Sequence, residues 1–256
     1  MNTKLFNFWL IKYEFRNLIG NIFTMIFGVA FPIGMTIFFG TAMVGKVPEG
    51  AKDIFITSIF ITNCIIIPLA SILVGYSATF SQELEKSIPL RFRLFGYTEK
   101  TILTSKIFAN LIFITLSFIV YTVAVCFVLN VQVPSLSSAL TLIVSLYILS
   151  TFLFILAHGI ALFFKRFGPT YAITMMLYFG VMILSGMFGV EATDFPTPLK
   201  AVAYSLPTTY ISGEFVDFWQ GGSYNFVPYI QSFIFFGAVS CIILFMSIHH
   251  DSRRIK

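Results

Sequence analysis

Long apolar runs without charged residues, separated by short polar stretches, dominate the chain. The runs do not alternate between apolar and polar positions, which favours spanning helices over a barrel of alternating strands. Each run is close to the ~20 residues that a helix needs to cross a bilayer. We therefore predict an all-α integral membrane protein with six transmembrane helices, at residues 22–44, 54–80, 107–129, 139–164, 169–190 and 227–248.

The first 20 residues mix charged and apolar side chains and form no clean apolar stripe on a helical wheel. Trp9 and Tyr13 suit the headgroup level of a membrane, and the stems of Lys12 and Arg16 extend toward water. The basic residues are spread out and a long apolar run follows them, unlike the pattern of a secretory signal peptide. We expect residues 1–20 to form an interfacial helix.

The segment 191–226 differs from the rest because it carries several prolines and a Gly-Gly pair. Its two aromatic-rich stretches, at residues 199–205 and 210–219, are too short to cross a membrane. We predict that they form short re-entrant helices that dip into the outer leaflet before the last span. Their broken backbone would then be covered by protein, since unpaired backbone groups are not tolerated in lipid.

The balance of charge predicts how the chain lies in the membrane. Charged residues make up 11% of the sequence, against about 25% in a typical soluble domain, so residues 1–256 form one membrane domain. All Lys and Arg residues except Lys46, Lys52 and Lys200 fall on the side that holds both termini. The positive-inside rule places this side in the cytoplasm. The net charge of +5 is therefore a topology signal and gives no support for nucleic-acid binding.

The predicted spans contain no Asp, Glu, Lys or Arg. Ion-coupled carriers usually keep such a residue in the membrane, where it is costly and marks the ion path. His158 is the ionisable residue in a predicted span core, and we interpret it as a hydrogen-bonded packing residue rather than a proton relay. His249 and His250 are adjacent and lack the further ligands that a metal needs. The sequence therefore predicts no catalytic residue and no metal site.

Residues 40–47, Gly-Thr-Ala-Met-Val-Gly-Lys-Val, match the phosphate-binding loop pattern up to its last position. That position requires Ser or Thr to hold magnesium, and here it is Val47. The expected strand before the loop is also missing from the sequence pattern. We interpret the match as chance and predict that the chain has no ATPase site of its own.

Residues 81–106 form the most highly charged stretch, between two uncharged runs. We predict a short helix over Glu83–Lys86, capped near Ser81 and ended by Pro89. Beyond it, aromatic side chains stand beside two arginines, a combination that protein–protein hot spots favour. Because the chain has neither an ion path nor a nucleotide site, we expect this loop to dock a separate subunit that supplies energy; the alternative is an interfacial loop without a partner. The candidate docking residues are Glu83, Glu85, Lys86, Leu90, Arg91, Phe92, Arg93, Phe95 and Gly96.

Three features together resemble the permease subunit of type-2 ATP-binding-cassette (ABC) exporters over the full length of the chain. The loop after the second span resembles the family's pattern of acidic residues, a small residue, a Leu-Arg stretch, a turn and a lysine. The matching residues here are Glu83, Glu85, Ser87, Leu90-Arg91, Gly96-Tyr97, and Lys100 or Lys106. The stretch from Phe195 to Gly221 resembles the family's outer loop before the last span, and the N-terminal helix and six-span layout also match.

The resemblance implies a homodimer, or a heterodimer with a sister permease, bound to two cytoplasmic ABC ATPase subunits. Those subunits would hold ATP and Mg, and this chain would bind no cofactor itself. The resemblance also implies a multi-pass protein of the bacterial cytoplasmic membrane, with a coupling helix within residues 81–106 and a segment at 191–226 that caps the outer exit. The residues expected in this outer gate are Pro198, Pro207, Tyr210, Glu214 and Trp219.

A transport path rich in Phe and poor in charge suits an apolar or amphipathic cargo. We therefore expect export of a hydrophobic or amphipathic drug, or of an antimicrobial or toxin-like peptide, driven by ATP hydrolysis on the separate subunit. Export of a lipid or lipid-linked glycan is the alternative within the family. Outside the family, an ion-coupled carrier and a membrane scaffold or immunity protein without transport stay open.

Overall fold

The computed structural model describes residues 6–189, 192–213 and 215–254, and these residues form helices joined by turns, without a β-strand. The α-helices are α1 (Phe8–Gly20), α2 (Ile22–Met25), α3 (Phe31–Ala42), α4 (Lys52–Cys64), α5 (Ile66–Pro68), α6 (Ser77–Glu85), α7 (Ile88–Leu94), α8 (Glu99–Val128), α9 (Leu136–Phe164), α10 (Phe167–Leu184), α11 (Thr197–Ala203), α12 (Pro207–Ser212), α13 (Phe215–Trp219) and α14 (Phe226–Arg254). π-Helical segments occur at Ile26–Ala30 and Leu69–Tyr76, and 3₁₀ turns at Val44–Lys46, Glu49–Ala51 and Ala192–Asp194.

Six helices in the described ranges are long and apolar enough to cross a membrane, which confirms the all-α fold with six spans. Spans 1 to 6 are Ile26–Lys46, Glu49–Glu85, Glu99–Val128, Leu136–Phe164, Phe167–Leu184 and Phe226–His250. Span 2 runs past its predicted end to Glu85, and span 3 begins earlier than predicted, at Glu99. Charged residues end an apolar run but do not end a helix, because the backbone hydrogen bonds continue regardless of the side chain.

Span 2 is the buried centre of the bundle. Ile65, Ile66, Ile67 and Leu69 are almost inaccessible, and the span contacts spans 1, 3, 4 and 5. The other five spans keep large exposed apolar faces. An apolar exterior around a single buried helix is what a lipid environment requires, since lipid solvates the outer faces that water would not.

Spans 1 and 2 each contain one of the two π-helical segments, and these segments contact each other. Small residues let the backbones approach closely at this contact. A Cβ added to Gly28 would lie 3.4 Å from Cβ of Ser71. One added to Gly75 would lie 2.9 Å from Oγ1 of Thr24 in α2, which directly precedes span 1. Close approach through small residues is the usual way in which membrane helices pack. The middle of span 2 is therefore held tightly against span 1.

Span 4 packs along span 6 through a similar close contact at Gly159. A Cβ at this position would lie 3.0 Å from both Cα and the backbone nitrogen of Leu244. We expect Gly159→Val to force the two helices apart and lower the free energy of unfolding by about 1–3 kcal/mol, measured by thermal unfolding of the purified chain in detergent. Gly180→Val on span 5 is the matched control, because an added Cβ there meets nothing within 4 Å. Equal losses in the two variants would contradict the close contact.

Helix α1 corresponds to the predicted interfacial helix, and the structure describes it from Phe8 onward. The side chain of Asn7 caps it by accepting a hydrogen bond from the backbone N–H of Leu10 (3.2 Å). One face of α1 packs on span 3, where Ile11 and Leu18 meet Ala109 and Phe113 of that span. The opposite face exposes aromatic and basic side chains. The helix is therefore amphipathic in the fold, although the helical wheel shows no clean stripe.

Three short helices, α11 to α13, follow span 5, where two re-entrant helices are predicted. The predicted stretch 210–219 is divided at Gly213, which ends α12. Both α12 and α13 contact α4 of span 2. Trp219 of α13 also donates its indole N–H to the backbone oxygen of Gln132 (2.8 Å), in the connection between spans 3 and 4. The segment therefore closes one end of the bundle, opposite the end that carries α1 and α7.

Candidate functional site

In the connection between spans 2 and 3, the helices begin and end at other residues than predicted. Helix α6 runs without interruption through Ser81 to Glu85, so Ser81 is not a cap; its hydroxyl donates to the backbone oxygen of Ala78 (2.9 Å). The chain breaks instead at Ser87, which adopts the left-handed conformation (φ 55°). Pro89 lies in the first turn of α7 and begins this helix rather than ending the previous one. Proline is favoured there because first-turn N–H groups have no partner within the helix.

Helix α7 and the turn after it present an exposed surface that combines apolar and basic side chains. Leu94 is 81% exposed and Phe95 is 82% exposed. Leu90, Arg91 and Arg93 are exposed on the same short helix. Aromatic, apolar and Arg side chains together are the composition that binding hot spots favour. This surface, here called the α7 surface, is formed by Leu90, Arg91, Arg93, Leu94 and Phe95.

Two predicted docking residues hold α7 in place instead of extending outward. Phe92 is half-buried, and its ring packs edge-on against Tyr13 of α1 (5.8 Å between centroids) and against Tyr97 (5.9 Å). Gly96 has a positive φ of 91°, a conformation that glycine adopts without strain. This turn returns the chain to span 3, so α7 is braced on α1 and joined to span 3 by a tight connection.

Glu85 and Lys86 end span 2 at the base of α7, and both are exposed. The Glu85 carboxylate accepts a hydrogen bond from the backbone N–H of Phe167 (3.1 Å), the first residue of span 5. A carboxylate at a helix N-terminus is favourable because the first N–H groups there lack partners and carry partial positive charge. Glu85 therefore ties the base of α7 to span 5.

Glu83 is among the predicted docking residues, but it does not belong to the α7 surface. It is 8% exposed, and both its carboxylate oxygens lie 2.8 Å from Nζ of Lys106. Residues two apart on an α-helix face nearly opposite directions, so Glu83 turns inward where Glu85 turns outward. The structure thereby separates two acidic residues that the sequence pattern groups together.

Lys106 lies inside the helix of span 3 and is 3% exposed. Its Nζ also lies 2.8 Å from Oε2 of Glu14 on α1, and Glu14 is 5% exposed. Glu14, Glu83 and Lys106 therefore form a buried ionic cluster, here called the buried triad. The triad joins α1, span 2 and span 3, although the predicted spans contain no charged residue. Removing Lys106 would leave two buried carboxylates without a counter-charge, which is strongly destabilising.

His158 lies next to this cluster, on span 4. Its Nδ1 is hydrogen-bonded to the hydroxyl of Tyr76 on span 2 (2.7 Å), and its ring stacks on Phe80 (4.7 Å between centroids). Nζ of Lys106 lies 6.0 Å from the centre of the same Phe80 ring. These contacts agree with the interpretation of His158 as a hydrogen-bonded packing residue.

The predicted outer-gate residues lie at the opposite end of the bundle, with different exposures. Pro207 begins α12 and is buried, and Trp219 of α13 is buried against Phe60 of span 2. Tyr210 is half-buried beside Tyr229 of span 6. The remaining two predicted residues are Pro198, which is exposed in the first turn of α11, and Glu214, which lies outside the described residues.

The sequence match to a phosphate-binding loop does not form such a loop. Gly40 lies within α3, and residues 44–46 form a 3₁₀ turn before α4. A phosphate-binding loop requires a preceding strand and a following helix whose N–H groups face the phosphates. In the described part of the chain, no group of three His, Cys, Asp or Glu side chains has the arrangement of a metal site.

Comparison with known proteins connects this architecture to a family. The structure defines a multi-pass, all-helical membrane protein with an exposed short helix between spans 2 and 3. The family model described as "ABC-2 type transporter" matches residues 7–217, which include α1, the first five spans and the short helices α11 and α12, and which end within α13. The chain belongs to the ABC-2 type transporter family and is the membrane component of an ABC transporter that works with an ABC ATPase subunit. A comparison with curated proteins finds no match.

Proposed function

We propose that this chain is the membrane-spanning subunit of an ABC exporter and that its α7 surface is the site where the ATPase docks. The observation that carries this proposal is the exposure of Leu94 and Phe95 on a helix that is braced by its own protein. Exposed apolar side chains on a rigid support favour binding because little conformational entropy is lost. Arg91 and Arg93 add charged donors around the apolar contact.

The proposed assembly contains two copies of the permease, or this chain and a sister permease, with two ATPase subunits. ATP and Mg belong to the ATPase subunits, and this chain binds no cofactor. Both termini, α1 and α7 face the cytoplasm of a bacterial cell, in line with the distribution of Lys and Arg along the sequence. The short helices α11 to α13 then lie on the outer side, where Pro207, Tyr210 and Trp219 cover the exit.

The contacts at the base of α7 suggest how movement of the ATPase reaches the spans. Glu85 connects this base to span 5, and Glu83 connects it through Lys106 to span 3 and α1. Closure of the ATPase subunits around ATP would move α7, and these polar contacts would transmit the movement to several helices together. The step is a rigid-body rearrangement of packed helices of the kind that switching proteins use.

Hydrophobic and amphipathic molecules are the proposed substrates, and export is the proposed direction. The spans other than span 2 expose large apolar side chains, and a path along such side chains would offer a cargo few polar partners. Apolar walls with few polar groups are typical of sites for drug-like or amphipathic ligands. Drugs and antimicrobial or toxin-like peptides have this character.

The proposal is tested by transport into proteoliposomes that contain the chain together with its ABC ATPase. ATP is added to the outside of the proteoliposomes. We expect ATP-dependent accumulation of a fluorescent amphipathic dye or a labelled amphipathic peptide in the lumen, and none with an ATPase variant that cannot hydrolyse ATP. Movement of a fluorescent lipid alone would replace the proposed substrate class by a lipid. Uptake driven by an ion gradient without ATP would overturn the proposed function.

A further inference from the structure

The buried triad is unbalanced in charge, because it contains two carboxylates and one ammonium group. Lys106 donates to both acids, but the two acids are not equivalent. Both oxygens of Glu83 lie 2.8 Å from Nζ of Lys106, whereas Glu14 uses Oε2 alone. The other oxygen, Oε1 of Glu14, is buried and has no hydrogen-bond partner. A buried ionised oxygen without a partner is costly.

A proton is the ligand that this arrangement fits. Protonation of Glu14 would remove the excess negative charge and convert the unpaired oxygen into a hydroxyl group. A metal cation fits poorly, because the ammonium group of Lys106 already lies within 2.8 Å of both acids and would repel it. We propose that the buried triad is a proton-binding site, with the proton on Glu14, that controls how firmly α1 is held against spans 2 and 3.

Among the residues that the structure describes, no other group beside Glu14 competes for this role. Span 3 contributes Lys106 and span 2 contributes Glu83, while α2 carries no titratable side chain. Lys12 and Arg16 of α1 are on its exposed face. Within the described ranges, the charged groups that face Glu14 are therefore the other two members of the triad.

Tyr76 of span 2 and His158 of span 4 form the next layer and are hydrogen-bonded to each other (2.7 Å). Helix α7 approaches α1 through the aromatic ring of Phe92, which carries no charge. Neither contact supplies a partner for the free oxygen of Glu14. Proton binding therefore depends on the balance within the triad.

The direction of the pH dependence follows from the environment of Glu14. Burial raises the pKa of the Glu14 carboxyl above its ordinary value; the Lys106 ammonium group opposes this effect in part, and the Glu83 carboxylate adds to it. Docked α1 therefore binds a proton more tightly than detached α1, whose Glu14 has the ordinary pKa of 4.5. This contribution to docking is fully present below the ordinary pKa and is lost as the pH rises through the raised pKa.

The test measures detachment of α1 in the full-length chain in lipid nanodiscs, so it does not depend on substrate, direction or ATPase. In a background in which Cys64, Cys126 and Cys241 are replaced by Ala, single cysteines are placed at Ile11, which is buried, or at Ile19, which is exposed. Maleimide labelling rates are compared as a function of pH. The ratio of the Ile11→Cys rate to the Ile19→Cys rate cancels the pH dependence of the thiol reaction itself.

We expect this ratio to rise with pH, by at most about tenfold per pH unit, the limit for one linked proton. With Glu14→Gln the ratio should stay low at every pH, because the amide is neutral like the protonated acid. A ratio that is flat in the parent chain, or that rises equally with Glu14→Gln, would overturn the proposal.

Infrared spectroscopy provides a second readout that does not need a cysteine in α1. Above the pH at which exposed carboxyl groups have ionised, a band from a protonated carboxylic acid should remain in the parent chain and disappear as the pH is raised further. It should be absent with Glu14→Gln and retained with Glu49→Gln, the control at an exposed glutamate far from the triad. Absence of this band in the parent chain, or its persistence with Glu14→Gln, would show that Glu14 does not bind the proton.

Discussion

Replacing Lys106 with Met is expected to lower the free energy of unfolding by about 3–5 kcal/mol, the usual cost of removing one partner of a buried ion pair. The variant leaves Glu14 and Glu83 buried without a counter-charge. Methionine nearly preserves the volume of the lysine stem, so lost packing contributes little to the change. Thermal unfolding of the purified chain in detergent, followed by circular dichroism, measures the effect.

Two further variants separate the loss of the ammonium charge from a general effect of substitution in span 3. Lys100→Met changes an exposed lysine of the same helix and should alter stability by no more than about 0.5 kcal/mol. Combining Lys106→Met with Glu14→Gln and Glu83→Gln removes the uncompensated charges and should recover much of the lost stability. If Lys106→Met and Lys100→Met unfold at the same temperature, the triad does not stabilise the fold.

Replacing Leu94 and Phe95 together with Asp is expected to abolish association with the ATPase. Hot-spot residues each contribute about 2 kcal/mol or more, and each 1.4 kcal/mol corresponds to a tenfold change in affinity. Loss of both side chains should therefore weaken binding by about a thousandfold. Co-purification of the ABC ATPase with the permease from membranes, at equal expression of both proteins, measures the loss.

Val133→Asp is the matched control for this double variant. Val133 is an equally exposed apolar residue, in the connection between spans 3 and 4 at the opposite end of the bundle. We expect this control to bind the ATPase normally, and both variants to keep the melting temperature of the parent chain. Normal ATPase binding by the Leu94→Asp/Phe95→Asp variant would exclude the α7 surface as the docking site.

The number of spans is predictable from sequence because the bilayer restricts the structural choices. A chain that crosses lipid must satisfy its backbone groups internally, so long apolar runs become helices. Local cues were less decisive in the connection between spans 2 and 3. Proline both ends helices and begins them, and the prediction took Pro89 as an end where the structure has a beginning. The break at Ser87 depends on a left-handed residue that the sequence does not mark.

The buried triad was missed because its members are distant in sequence and each resembles an ordinary loop or surface charge. Glu14 offered one signal. It falls on the same helical face as Leu10, Ile11 and Leu18, three and four positions away, and this spacing places it among buried residues. The partners of Glu14 were not predictable, because the contacts with Glu83 and Lys106 arise only when α1 packs on spans 2 and 3.

The length of span 2 has a mechanical consequence. Its 37 residues form a rod of about 55 Å at ~1.5 Å per residue, whereas the hydrocarbon layer is ~30 Å thick. Because of this length, a tilt of about 5° would displace one end of span 2 by about 5 Å relative to the other. Span 2 thus connects α7 at one end of the bundle with the short helices α12 and α13 at the other, and its π-helical segment contacts span 1 between them.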